Sequence, residues 1–231
     1  MGISVRKSIG WPPEPHSEPT STIVLTSPKC WFVDVRVLSP AATDSGHVVD
    51  IDWAFAGMSS STGVRSVWRH WVDSRTENAA SVTDEGDCEE LPDGNYLEKG
   101  EMVNPATGKM APYEEVWIDV QPVATSPSEV GAMRCVVVQL HDDAAGTRGV
   151  VERLGQFCQG IVRTAAKGIT VERWQWTADK GWQRTFRLGT GSIPCQQLVH
   201  ETRLLEEGDI LHDNGHLWTV IETAAVRGGG H

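Results

Sequence analysis

The chain has 231 residues, 39% of them hydrophobic and 22% charged, with a formal net charge of −11 at neutral pH. That length suits one large all-β domain or two small barrels with a proper buried core. The acidic balance excludes nucleic acid and anionic membrane as main partners, since both demand clustered Lys and Arg, and no apolar run reaches the roughly 18 residues of a membrane-spanning helix.

In chain order, the N-terminal MGISVRKSIGWPPEP carries basic residues but no apolar stretch of a secretory signal, so a non-secreted, cytoplasmic protein is expected. Pro12, Pro13, Pro15 and Pro19 predict an extended, poorly paired entry segment over residues 1–20. Short strand-like runs follow: Thr22–Thr26, then Trp31–Leu38, in which Trp31, Val33, Val35 and Val37 oppose Asp34 and Arg36. Asp44-Ser45-Gly46 predicts a turn. Val49–Ala56 sets Val49, Ile51, Trp53 and Phe55 against Asp50 and Asp52.

The stretch Val64–Asp73 is unusual. Strict alternation puts Val64, Ser66, Trp68, His70 and Val72 on one face and Arg65, Val67, Arg69, Trp71 and Asp73 on the other. Both faces carry a Trp and ionisable groups, as in a wall between two environments that each accept an aromatic ring with a polar handle. Ser81–Leu91, Tyr96–Val103 and Tyr113–Gln121 continue the pattern. In the last, Val116, Ile118 and Val120 oppose Tyr113, Glu115, Trp117 and Asp119. Ser126-Pro127-Ser128-Glu129 has the residues of a capped helical turn. Cys135–Leu140 reads as a buried strand. The polar His141–Gly149 stretch is taken as the boundary between an N-terminal barrel (21–145) and a C-terminal barrel (146–226).

Val150–Leu154, Phe157–Thr164, Ile169–Thr177, Trp182–Leu188, Gln196–Glu201 and Asp209–His212 are strand-like. Asp179-Lys180-Gly181 predicts a hairpin that sets Trp176 opposite or diagonal to Trp182, and Asn214-Gly215 predicts another into His216–Thr223. Strands spaced about ten residues apart, without sustained helical periodicity, predict an all-β protein of two tandem antiparallel barrels with about eight and seven strands. The cysteines Cys30, Cys88, Cys135, Cys158 and Cys195 lie far apart, as reduced intracellular thiols do.

Several phrases carry a resemblance: SEPTSTIVLTSP (Ser17–Pro28), WFVDVR (Trp31–Arg36), DWAFAG (Asp52–Gly57), WRHWVDS (Trp68–Ser74), LEKGEMVNPATG (Leu97–Gly108), YEEVW (Tyr113–Trp117) and GQFCQGIV (Gly155–Val162). They resemble the fungal Hri family, over roughly residues 17–223. That resemblance implies two lipocalin-like β-barrels in tandem, a fungal intracellular protein, and an association with a casein-type protein kinase. It carries no catalytic residues across. Some fungal lipocalin-like barrels are cofactor-free isomerases or cyclases of natural-product pathways, which is an analogy of fold only.

The candidate ligand-binding residues are the tryptophans that share faces with charges, with their neighbours: Trp68, Trp71, Tyr113, Trp117 and Arg69 in the first half, and Trp174, Trp176, Trp182 and Arg184 in the second. The candidate proton-transfer groups are His70, Asp73, Glu115 and Asp119. If the face of Glu115 and Asp119 points into a barrel, desolvation raises their pKa; if it points outward, they are a solvated surface. His212 and His216 flank the Asn214-Gly215 turn with Asp213 nearby, which could bring two metal ligands together, but most such turns are simply solvated, so no metal and no cofactor are expected. The functional expectation is an apolar small-molecule ligand in a Trp-lined barrel, acted on by a cofactor-independent isomerase or cyclase. The alternative is a non-catalytic carrier or an adaptor meeting a protein partner through the acidic Thr83–Glu90 segment.

Overall fold

The computed structural model describes residues 2–39, 50–129 and 132–226. The turn expected at Asp44-Ser45-Gly46 lies outside the described residues. Eight strands form a closed antiparallel barrel in sequence order: β1 (Gly2–Gly10), β2 (Thr20–Thr26), β3 (Trp31–Leu38), β4 (Ile51–Thr62), β5 (Arg65–Asp73), β6 (Glu85–Glu90), β7 (Tyr96–Asn104) and β8 (Lys109–Val120). Each strand pairs with the next, and β8 returns to β1 with Val5 opposite Ile118. The entry segment is therefore half strand: β1 closes the barrel, because Ile3 and Val5 supply an alternating apolar face that the prolines after Gly10 do not interrupt.

Seven strands form the second sheet: β9 (Met133–Asp142), β10 (Thr147–Leu154), β11 (Phe157–Thr164), β12 (Gly168–Thr177), β13 (Gly181–Leu188), β14 (Ile210–Asp213) and β15 (His216–Val226). Their order is β13-β12-β11-β10-β9-β15-β14, and the sheet is open. The expected second closed barrel is thus corrected to a curled sheet. Its ends are kept apart by the segment between β13 and β14. There the strand expected at Gln196–Glu201 is corrected to a short helix, α1 (Cys195–His200), which with Leu205 buries Ile193, Cys195, Leu198 and Val199 against Val138, Val151, Val162 and Trp218. The side chains that plug the concave face occupy the place closing strands would need.

The boundary between the sheets is also corrected. It falls between β8 and β9, because β9 pairs with β10 and β15, and His141–Gly149 is only the β9–β10 hairpin. Ser126–Glu129 contains the expected turn, a single 3-10 turn at Pro127–Glu129, and Thr125 donates its backbone N–H to Glu129 Oε2 (3.1 Å). Both predicted hairpins form: Trp176 is paired directly opposite Trp182, and Asn214 and Gly215 both have positive φ.

The sheet packs its other face on the outside of the barrel. Val33, Val35, Val37, Ala54, Ala56 and Val72 from the barrel meet Val137, Val150, Ile161, Val171 and Phe186 from the sheet. A second patch joins Ile3, Ile23 and Leu25 to Cys135, Leu154 and Phe157. Buried amides and guanidinium groups cross the seam. Gln159 Nε2 donates to the carbonyls of Ile23 (2.7 Å) and Val33 (2.9 Å), and Arg173 donates to the carbonyls of Ser21 (3.1 Å) and Val35. These bonds satisfy strand carbonyls that the docked sheet seals from water. Glu152, fully buried, has no hydrogen bond to either carboxyl oxygen, and burial pushes its pKa well up.

Candidate functional site

Because the valines of β3 face the docked sheet, its alternate residues Phe32, Asp34 and Arg36 face the barrel interior. The same logic turns Arg6, Thr20, Thr22, Trp53, Phe55, Tyr113, Glu115 and Trp117 inward, all of them buried. A barrel interior that takes charge must pair it. Glu115 lies between two guanidinium groups, accepting from Arg6 Nη1 (2.5 Å) and Arg36 Nη1 (3.1 Å). Arg6 also holds Glu18 through Nε (2.9 Å) and donates through Nη2 to Thr20 Oγ1 (2.8 Å). Arg36 holds Asp34 through Nε (3.0 Å) and Nη2 (2.9 Å), both on Oδ2, and lies over the rings of Trp53 and Phe55. Burial works against the Arg36 charge, yet Asp34 and Glu115 overcome it and raise its pKa. Asp34 Oδ1 is left with no partner, and burial raises the Asp34 pKa despite Arg36.

A bulge shapes the next part. Val72 pairs with Ala56 and His70 with Gly57, leaving Trp71 as an extra residue in β5. A Cβ on Gly57 would lie 1.9 Å from the Arg69 carbonyl oxygen, so only glycine admits this approach. The bulge changes the parity of the strand. His70 and Asp73, on opposite faces under strict alternation, both point inward, while Trp71 and Val72 pack outward against the second sheet. His70 Nδ1 bonds Asp73 Oδ2 (2.7 Å), its Nε2 bonds Asp84 Oδ2 (3.0 Å), and its ring stacks on Phe55 at 4.2 Å. Asp73 also accepts from Trp53 Nε1 (3.0 Å) and the Arg75 N–H (2.6 Å). Burial alone would lower the His70 pKa, but the two aspartates outweigh it and raise it. Burial likewise opposes the Asp73 charge, and the bonds from His70, Trp53 and Arg75 prevail and lower its pKa. Both ring nitrogens of His70 are thus committed to carboxylates.

Across the barrel, Glu98 of β7 accepts from Tyr113 Oη (2.5 Å) and Trp117 Nε1 (3.0 Å). Gly100, opposite Tyr113, makes room: a Cβ there would lie 2.7 Å from the ring. Burial first, and then the charge of Glu115, push the Glu98 pKa up to about 8. Between these groups is a cavity of about 370 Å³. Its wall includes Phe32, Phe55, Trp68 and Trp117 with Asp34, Arg36, Asp84 and Glu98, and the exposed Ser61, Tyr96 and Asp119 rim its mouth.

A family model described as Protein HRI1 matches residues 2–222. The chain belongs to the HRI1 family. Among solved structures, this HRI1-family chain is similar to an uncharacterized protein, YLR301w, from Saccharomyces cerevisiae, whose crystal structure superposes with a TM-score of 0.75 at 18% identity, covering 96% of this chain and 98% of that one. At that identity the likeness concerns the fold alone. No curated protein matches the chain.

The barrel of this HRI1-family chain brings together Trp68, Trp117, Asp119 and, behind the cavity wall, Tyr113, Glu115, His70 and Asp73. The face of Tyr113, Glu115, Trp117 and Asp119 points inward, resolving an alternative the sequence leaves open; Asp119 sits at the mouth, where it accepts from Ser4 Oγ (3.0 Å). Trp71 and Arg69 are elsewhere. Trp71 lies in the seam, edge-on to His141 and under Arg148, and Arg69 is exposed. The second-sheet residues form no cavity wall with their rings. Trp174 is core, donating to Glu172 Oε2 (2.9 Å); Trp182 packs beside that core, Trp176 is half-buried, and Arg184 pairs with Glu172 (3.3 Å). A polar surface cleft beside α1 includes Glu172, Arg184, Arg187 and His216 but none of these tryptophans. No group of three or more His, Cys, Asp and Glu side chains among the described residues is arranged to hold a metal ion. Among the described residues no helix is long and apolar enough to cross a membrane. Sequence reasoning missed Asp34, Arg36, Asp84 and Glu98. The signal for the first two was present, since Asp34 and Arg36 alternate with valines that a docked sheet could cover as well as a core.

Proposed function

We propose that the first barrel, taken as lipocalin-like, binds a small organic molecule in its interior. The observation that carries this reading is the cavity of about 370 Å³, within the ordinary range of small-molecule sites, whose wall mixes aromatic rings with a few convergent polar groups. The wall is more polar than the apolar guest expected from the sequence requires, which favours an amphipathic ligand with a charged or hydrogen-bonding end. If the barrel also turns its guest over by cofactor-free isomerisation or cyclisation, Glu98 is the proton-transfer group. It lines the cavity and changes charge near pH 8, whereas His70 lies behind the cavity wall. The five free thiols fit a reducing, intracellular setting. The adaptor reading ranks second, because the acidic strand β6 is partly neutralised within the chain by Arg65 on Glu85 and Asp87 and by Lys99 on Glu89.

Trp68 provides the test. It is half-buried in the wall, so Trp68→Ala should leave folding intact while abolishing ligand-dependent change in tryptophan fluorescence. Native mass spectrometry of the purified chain should show a bound mass that the variant loses. Small molecules that bind Trp68→Ala as tightly as the parent would place the site outside this barrel.

A further inference from the structure

We propose that the second sheet carries a binding site of its own, for a small phosphate monoester bearing hydroxyl groups, in the cleft where that sheet fails to close. The two edges of the open sheet bound this cleft. β13 contributes Arg184 and Arg187, and the β14–β15 hairpin contributes Asp213, Asn214 and His216. The cleft holds about 650 Å³, room enough for such a molecule.

A bulge sets its charges. Arg173 pairs with Phe186 and Trp174 with Arg184, which leaves Thr185 as an extra residue in β13. Under strict alternation Arg184 and Arg187 fall on opposite faces; the bulge turns both toward Glu172. Glu172 is 2% exposed and has no capacity for two cations. Its Oε2 accepts from Trp174 Nε1 (2.9 Å), and its Oε1 takes both guanidinium groups. Arg187 is fully engaged, since it also donates Nε to the Gly189 carbonyl (3.3 Å) and Nη2 to that of Gly191 (2.6 Å). Arg187 and Glu172 therefore cancel, and Arg184 is left over. It reaches Glu172 through Nη1 alone, at 3.3 Å, and its side chain is 45% exposed. Its Nε and Nη2 have no hydrogen-bond partner among the described residues and are open to a ligand.

Lys167 lines the same cleft, with no ion-pair partner among the described residues. The remaining acid is Asp213, whose Oδ2 accepts from Ser192 Oγ (2.5 Å). Two free cations against one acid leave the cleft positive in a chain of net charge −11, so it attracts an anion. A phosphate dianion brings two charges and three acceptor oxygens to the Arg184 fork and the Lys167 ammonium, where a carboxylate brings one charge and two oxygens. Thr190, Gln196 and Gln197 add hydroxyl and amide groups, and no phenyl or indole ring lines the cleft. That surface suits the hydroxyl groups of a polyol rather than a flat base.

Calorimetry of the full chain at pH 7 with glucose 6-phosphate, inorganic phosphate, gluconate and glucose tests this. Glucose 6-phosphate should bind about tenfold more tightly than inorganic phosphate or gluconate, with glucose weakest. Arg184→Gln should weaken it about tenfold and Lys167→Gln about threefold; both side chains are exposed and Glu172 keeps Arg187, so folding is not at risk. Arg69→Gln removes the same charge from the exposed surface of the first barrel and should change nothing, as should Trp68→Ala in the barrel cavity. Equal losses from Arg69→Gln and Arg184→Gln overturn the site in favour of long-range attraction, and glucose 6-phosphate binding no better than glucose overturns it outright. Gluconate binding as tightly as the phosphate ester overturns the phosphate assignment, and inorganic phosphate doing so overturns the role of the hydroxyl groups.

Discussion

Replacing Glu98 by Gln tests the electrostatics of the barrel most directly. In the folded chain Glu98 titrates near 8, against an ordinary value of 4.5. Between these values the folded state holds a proton that the unfolded state has released, so stability falls as pH rises, by about 1.4 kcal/mol per pH unit and on the order of 5 kcal/mol over the window. The amide copies the neutral acid. Its oxygen can accept from Trp117 Nε1 and its NH2 can donate to Tyr113 Oη, so the two neighbours keep partners. Urea denaturation followed by tryptophan fluorescence at pH 5, 6, 7 and 8 should therefore give two diverging curves. The chains should be within about 1 kcal/mol of each other near pH 5, with the variant ahead by several times that at pH 8. His70 contributes equally to both curves: its raised pKa gives stability that is full below 6.5 and lost as pH climbs through the folded value. Parallel curves would refute the reasoning, since they would mean that Glu98 is already ionised in the folded barrel at neutral pH.

Three further substitutions probe the same balance. Glu115→Gln keeps the volume but removes the carboxylate shared by Arg6 and Arg36, and a loss of about 3–5 kcal/mol is expected in denaturant titrations. His70→Ala leaves Asp73 and Asp84 facing each other without a cation, and its cost should be larger at pH 5.5 than at pH 8.5, because the parent loses its imidazolium-dependent stability over that interval. Glu152→Met should raise the melting temperature, since neither carboxyl oxygen is bonded in the seam and an apolar side chain there gains about 1–3 kcal/mol; a lower melting temperature would show that Glu152 has a hidden partner.

The residues explain what could and could not be read ahead of the structure. Most strands follow from period-two patterning and from turns such as Asn214-Gly215, which are local signals, but the eight-plus-seven count agrees only because errors cancel: the sequence reading omits β1, places Cys135–Leu140 in the first barrel instead of the second sheet, and makes a strand of Gln196–Glu201, which falls on helix α1. The sheet boundary did not follow, because β9 and β8 look alike as sequence and differ only in which distant strand they pair with. The open second sheet was hidden for the same reason: nothing local in Ile193–Leu205 says that it fills a concave face. The alternation of β5 was readable but misleading, since one bulge residue opposite Gly57 moves Asp73 to the side of His70. Gly57 was the only clue, and a glycine within a strand is a weak one.

The inverted character of the barrel follows from the docked sheet. A free barrel of this size would hide its valines inside and leave Asp34, Arg36, Glu98 and Glu115 in water. Here Val33, Val35, Ala54, Ala56 and Val72 already have an apolar partner outside, in Val137, Val150, Ile161 and Val171. The hydrophobic burial that folds the chain is therefore met at the seam, and the interior is released from that role. It can then hold ion pairs, rings and space together, a combination that a barrel folding alone could not stabilise. The second sheet thus supports the charged interior without lining its cavity: weakening the seam should loosen that interior before it unfolds the second sheet, whose other face keeps its own core around Trp218 and Leu198.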